Sequence, residues 1–389
     1  MIPKPGSPGW CGWIGMWFLV AAAVMPSVAA DPPEAIDDAQ LEARFLSRVR
    51  QLTFEGRRAG EGYFTPDGSR LVFQSEREPG NPFYQIYELN LETGETRRIS
   101  NGVGKTTCAF YQSTTGNIVF ASTHGDPRSA ELQQAELELR ASGRQRRYAW
   151  DYDPEMELYA SDAASGALSR LTDVVGYDAE ASVSPNGKWI VFASTRTAYD
   201  RELSEDERKR LEFDPSYFAD IYLMRADGSD VRRLTDVPGY DGGPFFSADG
   251  TRIIWRRFNI EGLIADIWTM KLDGSDQRQI TDFQSMSWAP YPHPSGEYVI
   301  FTSNKLGFDN FELFIVDTEG RKQPVRVTYT KGFDGLPVPS PDGRRMAWTS
   351  TRKGSGAQLF MARWNHENAL SALNEAPPAS DSAAIGENE

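Results

Sequence analysis

Thiols and imidazoles are scarce in this sequence, with two cysteines and three histidines in 389 residues. His124-Gly125-Asp126 has the His-x-Asp shape of a metal-ligand pair. The other histidines, His293 and His366, lie far along the chain, which leaves little for a catalytic zinc site. Cys11 falls in the opening thirty residues; without it, Cys108 has no internal disulfide partner and reads as a buried thiol. A basic stripe is missing as well. The net charge is −14, and −15 once the first thirty residues, whose one charge is Lys4, are set aside. That balance argues against nucleic acid and against anionic membrane surfaces. Gly102-Val103-Gly104-Lys105-Thr106-Thr107 imitates a phosphate loop, but Ile99 stands where the first glycine is needed and a strand follows rather than a helix. No Gly-x-Ser-x-Gly elbow occurs. Asp227-Gly228-Ser229-Asp230 lacks the downstream glutamate and the helices of a calcium loop, and reads as a hairpin turn. One apolar run stands out near the start, Trp13 to Val24, too short and too poorly flanked for a membrane span. With Lys4 before it and Ser27-Val28-Ala29-Ala30 after it, residues 1–30 read as a signal peptide cut near Ala30. The mature chain is then expected to be periplasmic or secreted, with no transmembrane span.

What is abundant is β-forming residues and tight turns. Ser184-Pro185-Asn186-Gly187 opens onto Trp189-Ile190-Val191-Phe192, a turn followed by a strand buried on both faces. The pattern returns at Thr65-Pro66-Asp67-Gly68, Ser247-Ala248-Asp249-Gly250, Pro294-Ser295-Gly296 and Ser340-Pro341-Asp342-Gly343, with a degenerate copy at Thr114-Thr115-Gly116. The turn glycines are 48, 71, 63, 46 and 47 residues apart. A second ladder runs through Leu52-Thr53, Ile99-Ser100, Leu171-Thr172, Leu234-Thr235, Ile280-Thr281 and Val327-Thr328. Its spacings are 47, 72, 63, 46 and 47. Between the two sits an acid or Gln before an aliphatic–aromatic pair: Gln85, Glu157, Asp220, Asp266, Glu312 and Gln358. A period near 46–47 residues with four strands per repeat means a propeller.

The ends of the chain fit this frame. The last repeat stops near Trp364 without its Leu-Thr strand, and Val49-Arg50-Gln51-Leu52-Thr53 is such a strand without a blade. The expected fold is all-β: a six-bladed β-propeller of four-stranded antiparallel blades over 48–364, its ring closed by residues 49–53 pairing with roughly 357–363. Insertions at about 126–152 and 197–218 interrupt it. They contain helix candidates at Ala130–Leu137 and from Ser204 onward. Residues 31–47 have helical spacing, and 365–389 read as a disordered acidic tail.

The three markers, in this order, resemble the TolB-like propeller repeats of bacterial envelope proteins. The resemblance covers about residues 48–364. Phrases such as Gly176-Tyr177-Asp178-Ala179-Glu180, Gly239-Tyr240-Asp241-Gly242-Gly243 and Gly332-Phe333-Asp334-Gly335 are similar to exported forms found alone or joined to zinc aminopeptidases. True TolB carries an α/β domain ahead of its propeller; residues 31–47 are too few for one. The resemblance implies a binding scaffold.

Asp178, Asp241 and Asp334 each follow a Leu-Thr threonine by six residues, which places them at the entry to the innermost strand. With Glu180, His293 and His124 they form a candidate binding set around one mouth of the channel. Asp241, His293 and Asp334 are the candidate metal ligands, for calcium or magnesium; the alternative is that each aspartate satisfies its own turn. No cofactor is expected. Arg77, Arg196 and Arg352, just past the second strand, are expected to pair with neighbouring acids. The function expected is a non-catalytic, monomeric scaffold for an envelope or secreted protein partner, or a glycan. The alternatives are a metal-assisted enzyme like an oligouronate lyase, or an accessory propeller of a separately encoded peptidase.

Overall fold

Each apolar run becomes the second strand of a four-stranded antiparallel sheet, and six such sheets close into a ring. The structure, a computed structural model, describes residues 37–144, 152–354 and 356–379. The proposed leader with Cys11 and the cut near Ala30, and residues 380–389 of the tail, lie outside the described residues. The innermost strands are Arg58–Phe64, Thr106–Tyr111, Asp178–Val183, Asp241–Phe246, Ser287–Pro292 and Asp334–Pro339. The second strands carry the largest fully buried side chains, among them Phe73, Phe120, Phe192, Trp255, Phe301 and Trp348. The hydrophobic core is therefore a set of layers between blades.

The two sequence ladders turn out to be bonded to each other. In every blade the Thr or Ser hydroxyl at the outer strand's end accepts from a backbone amide of the third strand and donates to the acid or Gln marker. Thr281 accepts from Ile267 N at 2.9 Å and donates to Asp266 at 2.9 Å. Thr328 does the same with Leu313 N and Glu312, at 2.9 and 2.6 Å. Ser100 uses Ile86 N and Gln85. These groups are buried, where an unmade hydrogen bond would cost roughly 1–3 kcal/mol, so the pair recurs together.

The ring closes through the opening strand Leu46–Gln51, which pairs with Gln358–Trp364. Leu46 faces Trp364 and Gln51 faces Phe360. The closing blade also carries the ladder bond: Thr53 donates to Gln358 at 2.7 Å and accepts from Leu359 N at 2.9 Å. Helix α1 is Asp38–Ala43. It ends before residue 47, the limit expected, because Phe45 and Leu46 are drawn into the core against Trp364; residues 31–36 of the expected segment lie outside the described residues.

Antiparallel pairing sorts the connections onto two faces. One face holds the links from first to second and from third to fourth strand; these are tight turns, and it is called here the turn face. The other, the loop face, holds the links from second to third strand and from blade to blade. Both insertions emerge there. Helix α2, Ser129–Ala141, fills part of the first. Helix α3, Glu205–Phe213, fills part of the second and starts with a capping box of Ser204 and Glu207.

The C-terminal segment departs from expectation. Residues His366–Glu375 form helix α4, capped by the Asn365 side chain accepting from Asn368 N. Ala369, Ala372 and Leu373 make an i, i+3, i+4 stripe buried against Phe45 and Trp364. Residues 377 and 379 then bond along Arg321 and Gln323. The polar composition of this stretch hid a narrow apolar stripe, which is enough to dock one helix.

Candidate functional site

A break in each innermost strand builds the channel wall. All six pairings between first and second strands shift register, after three residues in the first blade and after two in the others, the mark of a β-bulge. The bulge residue is left-handed every time: Glu61 (φ 53°), Cys108 (52°), Glu180 (58°), Gly243 (56°), Ala289 (48°) and Leu336 (56°). This conformation costs an L-residue with a side chain roughly 1–2 kcal/mol. Five of the six positions nonetheless carry side chains, and all six line one cavity of about 570 Å³ open to the loop face. Gly243 is the exception for a visible reason, since a Cβ there would lie 2.0 Å from Arg256 Nη1.

Two residues further along, the strands place aromatic rings across the channel. Tyr63, Phe110, Phe245 and Tyr291 contact one another with centroids 4.9–6.1 Å apart. Below this plug lies a smaller pocket of about 260 Å³ at the turn face, rimmed by Pro66, Pro185, Pro294 and Pro341. The channel is thus two separate cups.

The upper cup has a polar half and an aromatic half. In the polar half, Glu180 accepts from Gly243 N at 2.6 Å and from Tyr240 Oη, and pairs with Arg256 at 3.0 Å. Glu61 accepts from Tyr63 Oη at 3.1 Å, and its amide donates to Thr349 Oγ1. Burial is the main cause that pushes the Glu61 carboxyl up to about 7. Desolvation likewise raises the Cys108 thiol, which keeps it neutral and unreactive. In the aromatic half, Trp288, Phe311 and Phe333 form a half-buried trio with centroids 5.6–6.1 Å apart.

Of the residues expected at the mouth, Glu180 is in this cavity and the others are not. Asp178, Asp241 and Asp334 start their strands as expected, but they are buried inside the blades. Asp178 pairs with Arg196 at 2.5 Å, Asp241 with Arg257 at 2.7 Å, and Asp334 with Arg352 at 2.7 Å. Each arginine also lies over two aromatic rings of its own blade, as Arg257 does over Trp255 and Trp268. The three aspartates therefore act as internal ion-pair partners, where burial pushes Asp178 and Asp334 up against the pull of their arginines. Arg196 and Arg352 pair with acids as expected; Arg77 meets exposed Glu55 at 3.4 Å.

His293 is on the wrong face for the expected set. It follows the end of its innermost strand and takes the place that Ser340 holds before the Pro-x-Gly turn. It binds Ser295 and stacks on Tyr298 and His366, with centroids 4.5 and 4.7 Å away. Six strand residues separate it from the loop face, about 20 Å. His124 is on the loop face but at the flank of its blade, bonded to Ser122 and packed on Tyr159. Asp241, His293 and Asp334 therefore do not converge on one ion. Among the described residues no group of three or more His, Cys, Asp or Glu is placed to hold a metal. Glu61 escaped the sequence reading because its blade lacks the Gly-Tyr-Asp phrase. The signal available was its place two residues before the channel-plugging aromatic Tyr63, the spacing that Cys108 keeps from Phe110.

No family model matches the chain. An uncharacterized protein of Agrobacterium fabrum is 40% identical over 217 residues, which cover 51% of this chain and 65% of that relative, short of two thirds of its length. A TolB homologue of Chlorobium luteolum is 28% identical over 120 residues, 25% of this chain and 28% of that protein. Among solved structures, a protein designated TolB from Agrobacterium tumefaciens superposes with a TM-score of 0.53, at 20% identity, over 79% of this chain and 90% of that one. The chain has the TolB-like six-bladed β-propeller fold. In this TolB-like ring, no described helix is long and apolar enough to cross a membrane.

Proposed function

We propose that this TolB-like propeller is an exported, non-catalytic binding scaffold that engages a protein partner through its loop face. The observation that carries this reading is where large apolar side chains are left in solvent. Of the thirteen such residues among those described, eleven sit on connections of the loop face, the face onto which the upper cup opens. Phe54, Phe213, Leu263 and Phe308 are between 65% and 85% exposed. An exposed apolar rim around a concave site is the usual form of a protein-binding surface. The two helical insertions enlarge the same rim, and function commonly resides on such loops. Support for export is the leader-like pattern of residues 1–30.

A double substitution, Leu306→Ser with Phe308→Ser, tests this. It is expected to abolish capture of a partner from native extract while Val231→Ser, at an exposed apolar residue of the turn face, leaves capture unchanged. Equal capture by both variants would overturn the proposal.

A further inference from the structure

The upper cup is lined by two arginines, Arg58 and Arg256, and two glutamates, Glu61 and Glu180, and these are unevenly paired. Arg256 pairs with Glu180 at 3.0 Å, and Arg58 pairs at 2.5 Å with Glu76, which also holds Arg140 at 3.3 Å. Among the described residues no arginine or lysine lies within ion-pair distance of Glu61, so one lining carboxylate has no counter-ion of its own. Trp288, Phe311 and Phe333, from the two blades that precede that of Glu61 around the ring, line the same cup, and their ring faces attract cations and flat apolar bodies alike. A cup of about 570 Å³ is within the size range of small-ligand sites. The left-handed backbone at Glu61 and Glu180 is strain held at the cavity wall, where it aims both carboxylates inward.

We propose that the upper cup binds a small organic cation, a primary amine on an aromatic body, with the ammonium group donating to Glu61 and the body lying on Trp288, Phe311 and Phe333. This deepens the loop-face reading by naming what enters the cup inside the apolar rim. An anion is disfavoured there, because Glu61 and Glu180 face it and both lining arginines are already engaged. The groups facing Glu61 are Tyr63 on its own strand, and Cys108, Glu180 and Arg256 from three other blades. Glu180 and Arg256 offset each other, which leaves Glu61 to set the pH response. Its carboxyl titrates at about 7, so it is largely protonated at pH 5.5 and ionised at pH 8. The amine stays protonated throughout, so binding tightens as pH rises.

The test uses benzylamine and tryptamine with their neutral counterparts, benzyl alcohol and tryptophol, and the anion indole-3-acetate. Binding to the full chain is followed by calorimetry and tryptophan fluorescence. At pH 8 the amines are expected to bind at least tenfold more tightly than the alcohols, with the anion weakest. That gap should close at pH 5.5 and in Glu61→Gln. Alcohols matching amines, a gap that survives Glu61→Gln, or no binding by any probe at millimolar concentration would each overturn the proposal. Should Glu61→Gln fail to fold, the pH series on the native chain carries the same test. Loss of probe binding with rim-dependent capture intact removes the cation site alone. Intact probe binding with no rim dependence of capture removes the partner surface alone.

Discussion

At the turn face, Asp67, Asp249 and Asp342 give their carboxylates to the hydroxyls and amides of their own turns. At the loop face, Asp178, Asp241 and Asp334 sink into the blades and pair with arginines. The same residue type, in equally regular places in the repeat, is solvated and local in one set and buried and tertiary in the other. The carboxyls respond accordingly. Hydrogen bonds from Thr65 and Ser69 hold Asp67 down at about 2, whereas burial raises Asp178 and Asp334. A regular aspartate in a propeller repeat is therefore first a structural device. The residues available for a ligand are the irregular ones: bulge side chains that differ from blade to blade, and apolar loop residues that nothing covers.

The largest expected effect comes from breaking the buried pairs. Asp178→Ala leaves Arg196 buried without a carboxylate, and a loss of about 3–5 kcal/mol in urea unfolding is expected. Asp334→Ala should cost less, because Arg352 keeps Glu42 at 2.8 Å. On the turn face, Gly187→Ala meets a left-handed φ of 69° and Thr114 Oγ1 at 2.3 Å. A cost of about 1–3 kcal/mol is expected from the same measurement. Asp342→Ala, with exposed turn bonds to lose, should cost under about 1.5 kcal/mol; a cost equal to that of Asp178→Ala would erase the distinction between the two sets.

The faces should also differ in the sign of their pH dependence. Burial and the neighbouring His366 hold His293 down at about 4, against roughly 6.5 when unfolded. The unfolded chain takes up that proton first, so the stability it contributes is present above about pH 6.5 and is lost as pH falls toward 4. Glu61 works the other way. Its folded value of about 7 exceeds roughly 4.3 for an unfolded glutamate, so its contribution is lost as pH rises through 7. Melting curves from pH 8 to 5 should show His293→Phe losing less stability on acidification than the native chain, and Glu61→Gln gaining less. Curves that superpose on the native one would contradict both. The smallest effect on stability is expected for Leu306→Ser with Phe308→Ser, within about 0.5 kcal/mol per site, since both side chains are exposed.

Much of the ring was legible in the sequence because its markers are bonded to each other. Thr281 and Asp266 recur at fixed spacing since each satisfies the other in a buried site. The opening strand was legible as the missing partner of the last blade. The site was far less so. A strand-starting aspartate looks the same in sequence whether its side chain faces the channel or an arginine inside the blade. His293 sits beside a turn motif whose usual occupant is serine, and only the reversal of direction along the strand tells that it lies on the far face. Helix α4 was masked by polar composition, although Asn365 followed by Ala369, Ala372 and Leu373 is a cap followed by a stripe.

The most direct measurement places a photo-crosslinking amino acid in turn at Phe308, at Leu263 and at Val231, three exposed apolar positions, two on the loop face and one on the turn face. Irradiation in native extract should yield the same protein adduct from Phe308 and Leu263 and none from Val231. Adducts formed equally from all three, or from Val231 alone, would contradict the assignment of binding to the loop face.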